Sequence, residues 1–449
     1  MVNFIVTLES IVFSVFILVC LYFLYKWSAQ ALISSYFLKI IILFYAFKIV
    51  AYYLLPAVLR FLDGYSLEIE KNISLEYLSA IYLLEAVAVL LWIAGIITGF
   101  SLLKIKSESV MAQSRLNLPG ITPISNKSFL LYVLVFLIFF LINIGFFEGE
   151  GLFFTIFKPL IKSTAPFIGI LLVFYGIRFK SFLKVATGLV FLAATLIFIS
   201  SRGAFIYSFV TLAILLYVFA VNRKLFVSYI LVFSGVFFTY YLIVGGIPKF
   251  TVNDAGITIN IDSDKKMDRS AFEEIRFRFS ASTLYSTGFL MMEEKGIVAG
   301  INPIAHSLSG IVPRKYWPEK PISSTLNPND IYSQGMYLIY KAVEGEGSTN
   351  MVEFSSAAHS YWEMGLFWVA ASSFIAGFYV FLSIKIAGML KHFGIVYLLS
   401  TLKPFGYMDP KMWTSEIILQ IYQIMLPALI LYLFFYFMRI LAKLFTSEI

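Results

Sequence analysis

The sequence carries four short groups of polar residues at the borders of long apolar runs, and each group could act on a charged substrate. The first is Arg202, which lies between two apolar runs in the string Ser200-Ser201-Arg202-Gly203. A guanidinium at a membrane surface is unfavourable unless it is paired or lines a watery cavity. Arg202 is therefore a candidate for binding an anion, although an arginine that only extends towards lipid phosphates would look the same.

The second group lies in a predicted amphipathic helix at 269–295, where Arg276 and Arg278 are two positions apart. Two guanidinium groups can bind a phosphate or a diphosphate in bidentate fashion. Surface ion pairs are the alternative, because a glutamate precedes each arginine by three or four positions, Glu273 and Glu274 respectively.

The third group is the string P-R-K-Y-W-P-E-K-P at 313–321. Its three prolines stiffen the backbone that carries the cations Arg314 and Lys320. The aromatic rings of Tyr316 and Trp317 lie beside these cations in the sequence. Cations next to aromatic faces suit a sugar or a lipid phosphate. A loop of an interfacial aromatic belt would explain Trp317 but not the rigid set of cations.

The fourth group, S-S-A-A-H-S-Y-W-E-M-G at 355–365, contains His359 and Glu363. An imidazole titrates close to neutral pH, which suits proton transfer. His359 is therefore the candidate base, and Glu363 is the next candidate. A hydrogen-bonded structural histidine and a carboxylate that only caps a helix are the alternatives.

The elements that hold these groups are apolar. Hydrophobic residues make up 60% of the 449 residues and charged residues only 13%, which excludes a water-soluble protein. The single cysteine, Cys20, excludes an intrachain disulfide, and three histidines leave little room for a metal site. Asp262 and Asp264 have the spacing with which nucleotide-sugar enzymes hold a metal, but we interpret them as part of a solvated loop. We therefore expect no cofactor and no metal.

The spacing of apolar runs predicts the fold class. A membrane-spanning helix needs about 20 mostly apolar residues, and eleven stretches approach this requirement, at 3–25, 31–59, 77–103, 128–147, 164–177, 182–200, 204–221, 226–246, 366–384, 392–408 and 415–438. The first is expected to be a retained helix, because no basic leader or cleavage site accompanies it. The sequence thus predicts an all-α polytopic membrane protein of about 11 transmembrane helices, with about eight in 1–246 and about three in 366–449.

Charge gives the orientation of the predicted helices. One set of loops carries 14 basic and 2 acidic residues, which is typical of the cytoplasmic side. The net charge of +8 therefore fits membrane anchoring, and we expect no nucleic-acid partner. The polar stretch at 247–365 holds 25 of the chain's 60 charged residues and falls on the opposite side. We predict that it is a large extracytoplasmic loop with a function of its own.

In these four groups the chain resembles the bacterial O-antigen polymerase family, also called oligosaccharide repeat-unit polymerases, and it is similar to the enterobacterial common antigen polymerase. The resemblance rests on Ser201-Arg202-Gly203 between two spans, on Arg278 with Arg276 in the loop helix, on the P-R-x-x-W-P-x-K-P string, and on the 359–365 segment before the next span.

The resemblance implies a GT-C-like helical fold in the bacterial inner membrane and a glycosyltransferase that needs no nucleotide sugar. Members of the family join polyprenyl-diphosphate-linked oligosaccharides on the outer face of that membrane. On this basis we expect the diphosphate to be bound by Arg202, Arg278 and Arg314. Two further cations are expected to support this binding, namely Arg276 and Lys320. The remaining substrate contacts are expected from Tyr316, Trp317 and Glu363. His359 is expected to position or deprotonate the acceptor hydroxyl. The expected partners are lipid-linked oligosaccharides, membrane lipids, a chain-length regulator and a flippase.

Three alternatives stay open from the residues. An O-antigen ligase would use the same candidate residues but would transfer the glycan to a different acceptor. A lipid-oligosaccharide flippase or another transporter is favoured by charged residues inside predicted spans, namely Glu9, Lys39, Lys48, Glu85 and Lys403. A structural scaffold would need neither Arg202 nor cations in a rigid loop.

Overall fold

The computed structural model of the chain describes residues 2–30, 35–63, 75–104, 125–143, 167–198, 202–218, 249–253, 256–260, 286–291, 293–294 and 356–389, together with single positions at 229, 421, 426, 429, 430, 433 and 436. Three predicted spans, at 226–246, 392–408 and 415–438, therefore lie almost wholly outside the described residues.

The described chain is helical apart from one hairpin. In chain order the elements are α1 (Val2–Gln30), α2 (Ser35–Ile49), a π-helical segment π1 (Val50–Leu54), α3 (Leu55–Asp63), α4 (Leu75–Lys104), α5 (Asn126–Asn143), α6 (Phe167–Arg178), α7 (Phe182–Phe198), α8 (Arg202–Val218), β1 (Lys249–Asn253), β2 (Gly256–Asn260), the short helix α9 (286–291 and 293–294) and α10 (Ser356–Met389).

Three helices are long and apolar enough to cross a membrane within the described residues: Thr7–Ser28 of α1, Glu76–Leu102 of α4 and Ala357–Ala387 of α10. Shorter apolar helices cover Phe129–Leu141, Phe167–Arg178 and Phe182–Thr195. This architecture agrees with the predicted helical membrane protein. It differs in one respect, because 249–260 forms an antiparallel hairpin inside the predicted loop. The β-branched alternation of K-F-T-V-N and G-I-T-I-N, joined by two residues, accounts for it.

The buried side of helix α1 is polar in its first half and apolar in its second half, and its exposed side is apolar. Thr7, Ser10 and Ser14 are buried, whereas Val12 and Phe23 are exposed at 58% and 65%. The Ser14 hydroxyl donates to the Ser10 carbonyl at 2.7 Å, so this buried group is satisfied within the helix. An exposed apolar face is stable in lipid, which supports the membrane assignment of α1.

Paired side chains fix the directions of the first helices. Along α1 and α4, Glu9 meets Ser79 near the beginnings of the helices, and Trp27 meets Phe100 near their ends, with ring centroids 6.1 Å apart. These two helices therefore run parallel. Helix α2 and π1 run the opposite way, because Tyr45 packs on Trp92 further along α4 while the later residue Tyr53 reaches Glu85.

Helices α4 and α10 approach each other through glycine. A Cβ on Gly95 would lie 2.2 Å from the Phe374 carbonyl oxygen, and a Cβ on Gly377 would lie 2.0 Å from the Trp92 carbonyl oxygen. Small residues let helix backbones approach closely in lipid, where little hydrophobic force drives association. The pairing of Gly99 with Phe381 continues the same register, so these helices also run parallel.

Candidate functional site

Helix α10 breaks at a sharp corner immediately after Glu363. Met364 has φ −147° and ψ 29°, and Gly365 has φ 71° and ψ −164°. The second of these conformations is essentially restricted to glycine. The corner divides α10 into a first arm (356–363) and a second arm (366–389), and the glycine contacts with α4 described above belong to the second arm.

The first arm folds back against the second. The Ser372 hydroxyl donates to the Ser360 hydroxyl at 3.1 Å, although these residues are twelve positions apart. Residues with this separation would lie about 18 Å apart in a straight helix. The corner at Gly365 therefore makes a short, re-entrant helix that lies alongside the apolar second arm.

The first arm holds the predicted His359 and Glu363 together. His359 Nδ1 lies 3.5 Å from Glu363 Oε1, and both side chains are completely inaccessible to solvent. The two residues are four positions apart, which places them on one face of a helix, one turn apart. The structure thus pairs two residues that the sequence offered as separate candidates for one role.

Trp368 holds the Glu363 carboxylate from the other side of the corner. The indole N–H of Trp368 donates to Glu363 Oε2 at 2.7 Å. A buried carboxyl oxygen needs a hydrogen-bond donor, because leaving it unpaired is costly. One oxygen of Glu363 therefore faces the imidazole while the other is fixed by the second arm, so that the corner geometry and the orientation of the carboxylate depend on each other.

Aromatic side chains enclose the imidazole. The Phe289 ring of α9 lies 5.1 Å from the His359 ring at 72°, and the Trp362 ring lies 5.7 Å away at 85°. Phe289 and Trp362 also contact each other, with centroids 5.2 Å apart. Both aromatic residues are fully buried. The His359–Glu363 pair therefore lies in an apolar surround that excludes water in this conformation.

Two hydrogen bonds to tyrosines hold α9 over the pair. Tyr77, near the beginning of α4, donates to Glu294, and Tyr361 of the first arm donates to Glu293. The two glutamates are adjacent in α9. One anchor is thus on α4 and the other on α10, and both hold the helix that carries the buried Phe289.

The arrangement suits a proton acceptor better than a metal centre. At 3.5 Å, His359 Nδ1 and Glu363 Oε1 are close enough for an ion pair if the imidazole is protonated, but they are too far apart for an ordinary hydrogen bond. Within the described residues, no three His, Cys, Asp or Glu side chains come together in a group that could hold a metal ion.

The other predicted site residues are distributed differently. Arg202 is the first residue of α8, so it does begin a helix at the border of an apolar run. Its side chain lies outside the described part of the structure. The same is true of all atoms of Arg276, Arg278, Arg314, Tyr316, Trp317 and Lys320. Their assignment to the diphosphate stays a prediction.

Sequence reasoning missed Phe289, Ser372, Gly365 and Trp368. Gly365 carries a local signal, because a glycine at the junction between a polar helix and an apolar run often marks a break. Trp368 lies five positions after Glu363, a spacing that does not bring side chains together in a regular helix. Phe289 lies 70 positions from His359 and gives no local signal.

A second buried polar site lies between π1 and α4. The Tyr53 hydroxyl donates to Glu85 Oε1 at 2.8 Å, and both residues are fully buried. Tyr82 packs edge-on against Tyr53, with ring centroids 5.8 Å apart. π-Helical turns occur often at functional sites, and a carboxyl group inside a membrane helix is a functional candidate by default.

Comparisons of the chain with protein-family models, with curated proteins and with solved structures gave no match.

Proposed function

We propose that this protein is a glycosyltransferase that polymerises polyprenyl-diphosphate-linked oligosaccharide repeat units at the outer face of the bacterial inner membrane. The observation that supports this most directly is the buried His359–Glu363 pair at the corner of α10. A histidine oriented by a carboxylate is a suitable base for an alcohol nucleophile. Its place in a membrane helix suits a substrate carried on a lipid.

The proposed reaction transfers the growing chain onto the non-reducing end of an incoming lipid-linked unit. An acceptor hydroxyl oxygen forms a bond to the anomeric carbon of the donor, and its proton goes to the imidazole of His359. The bond between the anomeric carbon and the diphosphate oxygen breaks, and its electron pair leaves with the polyprenyl diphosphate. Glu363 stabilises the imidazolium that forms.

Charge develops on the departing diphosphate in this reaction, and cations must stabilise it there. We assign this role to Arg202, Arg278 and Arg314, supported by Arg276 and Lys320, with Tyr316 and Trp317 against the sugar or lipid. A diphosphate already attached to lipid can be neutralised by arginine, so the scheme includes neither a metal nor another cofactor. Alanine at Arg202 or at Arg314 should therefore abolish polymer while the protein stays in the membrane.

The packing of α4 and α10 supports the predicted topology. Parallel helices need an odd number of membrane crossings between them, and the eleven-helix topology has five between its third and ninth spans. Both helices then begin on the extracytoplasmic side, on which we place the loop at 247–365. The contact of Tyr77 in α4 with Glu294 in that loop supports the same placement.

The Tyr53–Glu85 site favours one other class of function. A buried carboxyl group in a π-helical surround is the kind of site with which transporters bind a proton or an ion. A lipid-oligosaccharide flippase is therefore our second candidate. The O-antigen ligase differs from the polymerase only in its acceptor.

One reconstitution separates the three functions. Purified protein in sealed liposomes is given a synthetic polyprenyl-diphosphate-linked oligosaccharide of the host strain, with and without lipid A core, and the products are read by mass spectrometry. Products longer by whole repeat units support the polymerase. Transfer to lipid A core alone would indicate a ligase. Substrate of unchanged length that has crossed the bilayer would indicate a flippase and would contradict the proposal.

A further inference from the structure

The turn between α6 and α7 joins two helices whose backbones are in direct contact. A Cβ on Gly176 would lie 2.6 Å from the Val185 nitrogen, and a Cβ on Gly188 would lie 2.7 Å from the Val173 nitrogen. Small residues allow helices in lipid to approach this closely. The close pairing gives the turn a firm base for the side chains that it carries.

The chain reverses at Lys180 in a left-handed conformation. Lys180 has φ 54°, and within the described residues it is the one residue other than glycine with a positive φ. The N–H of Ser181 donates to the Gly176 carbonyl at 2.8 Å, which is the hydrogen bond of a helix that ends through a left-handed residue. Glycine is the usual residue at such a position, because a Cβ is unfavourable there. A lysine in its place indicates a use for the side chain.

The side chains around this turn are basic. Arg178 and Lys184 flank Lys180, and the sequence contains no acidic residue from 151 to 253. Lys180 is exposed, and the Arg178 guanidinium lies 5.8 Å from the centre of the Phe179 ring. Fixing the orientation of a membrane protein needs cations at the membrane surface but does not need one at a left-handed position. The turn is therefore suited to direct contact with an anion.

An exposed apolar side of α7 begins directly at the turn. Phe182 is exposed at 86% and Leu183 at 64%, and exposed Leu189 and Val190 follow seven positions later. Residues seven positions apart lie on the same side of a helix, about two turns from each other. An exposed apolar surface of this kind is stable against acyl chains. Cations followed by an apolar surface match the headgroup and the acyl chain of one lipid molecule.

We infer that the α6–α7 turn binds an anionic phospholipid of the surrounding membrane. The headgroup phosphate contacts Lys180 and its flanking cations, and an acyl chain lies along the apolar side of α7. A soluble anion would leave the exposed Phe182 and Leu183 unexplained. The predicted topology places this turn on the cytoplasmic side, where anionic lipids attract basic segments, whereas the substrate diphosphate of the proposed function lies on the opposite side.

Quenching of a fluorescent label by lipid tests this site in the full-length protein. Val190→Cys in the Cys20→Ala protein places one thiol on the apolar side of α7, where it is labelled with bimane. The protein is reconstituted in phosphatidylcholine liposomes that contain a small fraction of nitroxide-labelled phosphatidylglycerol or nitroxide-labelled phosphatidylcholine. We expect phosphatidylglycerol to quench the label at a several-fold lower mole fraction. Equal quenching by the two lipids would overturn the inference.

Two substitutions test the part played by Lys180. Lys180→Gln removes the charge and should raise the mole fraction of phosphatidylglycerol needed for quenching by about fivefold, the usual contribution of one cation near an anionic membrane surface. Lys180→Gly removes the charge as well but suits the left-handed conformation, so its thermal midpoint in neutral detergent should not fall below that of the native protein. Unchanged lipid preference in the glycine variant would overturn the role of Lys180.

Helix α1 supplies a matched control. Phe16→Cys in the Cys20→Ala protein gives an exposed apolar position that is ten residues from the exposed Lys26, the same separation as between Val190 and Lys180. Phosphatidylglycerol should be preferred less at position 16, and Lys180→Gln should not change quenching there. An equal preference at positions 16 and 190 would indicate a general attraction of anionic lipid to cations and would overturn a site at the turn.

A competing lipid tests the occupant. Unlabelled phosphatidylglycerol should relieve the quenching at position 190 in proportion to its mole fraction. A polyprenyl diphosphate that relieves the quenching at a much lower mole fraction would overturn the phospholipid as occupant and assign the turn to the substrate lipid. None of these measurements depends on polymer formation, so failure of this inference is distinct from failure of the proposed function.

Discussion

Two buried carboxylates lie in the described part of this protein, and they are held in different ways. Glu363 lies in the last turn of the short first arm, with His359 3.5 Å from one carboxyl oxygen and an indole N–H donating to the other. Glu85 lies inside the continuous helix α4 and accepts a hydrogen bond from Tyr53 of π1. The first site lies at a break in the backbone and the second within regular packing.

The difference indicates separate roles. The proton acceptor that we propose needs an oriented imidazole, and the corner at Gly365 fixes the carboxyl group of Glu363 that faces His359. The Tyr53–Glu85 hydrogen bond joins two packed segments, so it contributes mainly to how π1 and α4 pack. We therefore expect substitutions at the first site to act on catalysis and those at the second to act on stability.

Among the residues around the two buried carboxyl groups, His359 should be the most sensitive position. Changing it to alanine should lower polymer formation by about 10²- to 10⁴-fold, the usual contribution of a general base. Glu85→Gln keeps the size of a buried side chain and should retain polymer formation. Both variants are measured in the reconstitution by the amount of product that is longer by whole repeat units. Full activity of the His359 variant would remove the proposed base, and loss of polymer only in the Glu85 variant would point to the Tyr53–Glu85 site as the one that polymer formation needs.

The substitution Gly365→Ala should have the second-largest effect. Nothing lies within 4 Å of a Cβ built at this position, so the change introduces no clash and tests the backbone conformation alone. A non-glycine residue in this region costs about 1 to 3 kcal/mol, which should open the corner and separate Glu363 from Trp368.

The readouts for this variant are the thermal midpoint in detergent and the polymer yield, both of which should fall. Met364→Ala is the matched control, because its φ is negative and does not call for glycine, and its side chain is exposed. Equal behaviour of the two variants would mean that the corner does not determine the site.

Trp368→Phe should give a smaller loss. It keeps an aromatic ring but removes the N–H that donates to Glu363, and leaving this buried oxygen without its donor costs about 1 to 3 kcal/mol. We expect polymer formation to fall by roughly tenfold to a hundredfold, since about 1.4 kcal/mol corresponds to a factor of ten. Trp27→Phe, at the far end of α1, should leave polymer formation unchanged in the same assay. A fall of equal size at Trp27 would show a general packing effect.

Tyr53→Phe should change function least. Loss of the hydroxyl leaves Glu85 without this donor, which costs about 1 to 3 kcal/mol and should lower the thermal midpoint. Polymer formed per amount of folded protein should not change. Tyr22→Phe, at an exposed position, should alter neither value. A fall in polymer formation at constant stability would instead connect the two carboxylates in one function.

Local sequence predicted the helices well where apolar runs were long. The predicted spans at 77–103 and 182–200 correspond to α4 and α7, because about 20 apolar residues without partners for their backbone leave few alternatives to a helix. The hairpin at 249–260 was missed, because two five-residue strands within a polar loop give a weak signal. The re-entrant first arm was interpreted as the end of a loop, since its apolar residues merge with the following span.

The sequence alone predicts part of the candidate site. His359 and Glu363 stand out by residue type in an apolar chain, and their spacing of four places them on one helix face. Phe289 and Trp368 could not be found in this way, because Phe289 is distant in sequence and Trp368 comes into reach only when Gly365 reverses the chain.

Apolar composition alone makes this a helical membrane protein, since a chain so poor in charge cannot be stable in water, and the order of residues shows which few polar groups lie beside the apolar helices. What those groups contact depends on the folded arrangement. The positive φ of Gly365 folds the first arm back, the glycines of α4 and α10 bring the backbones together, and Phe289 of α9 packs against His359. These contacts join distant segments, and no local pattern of residues specifies which distant segments meet.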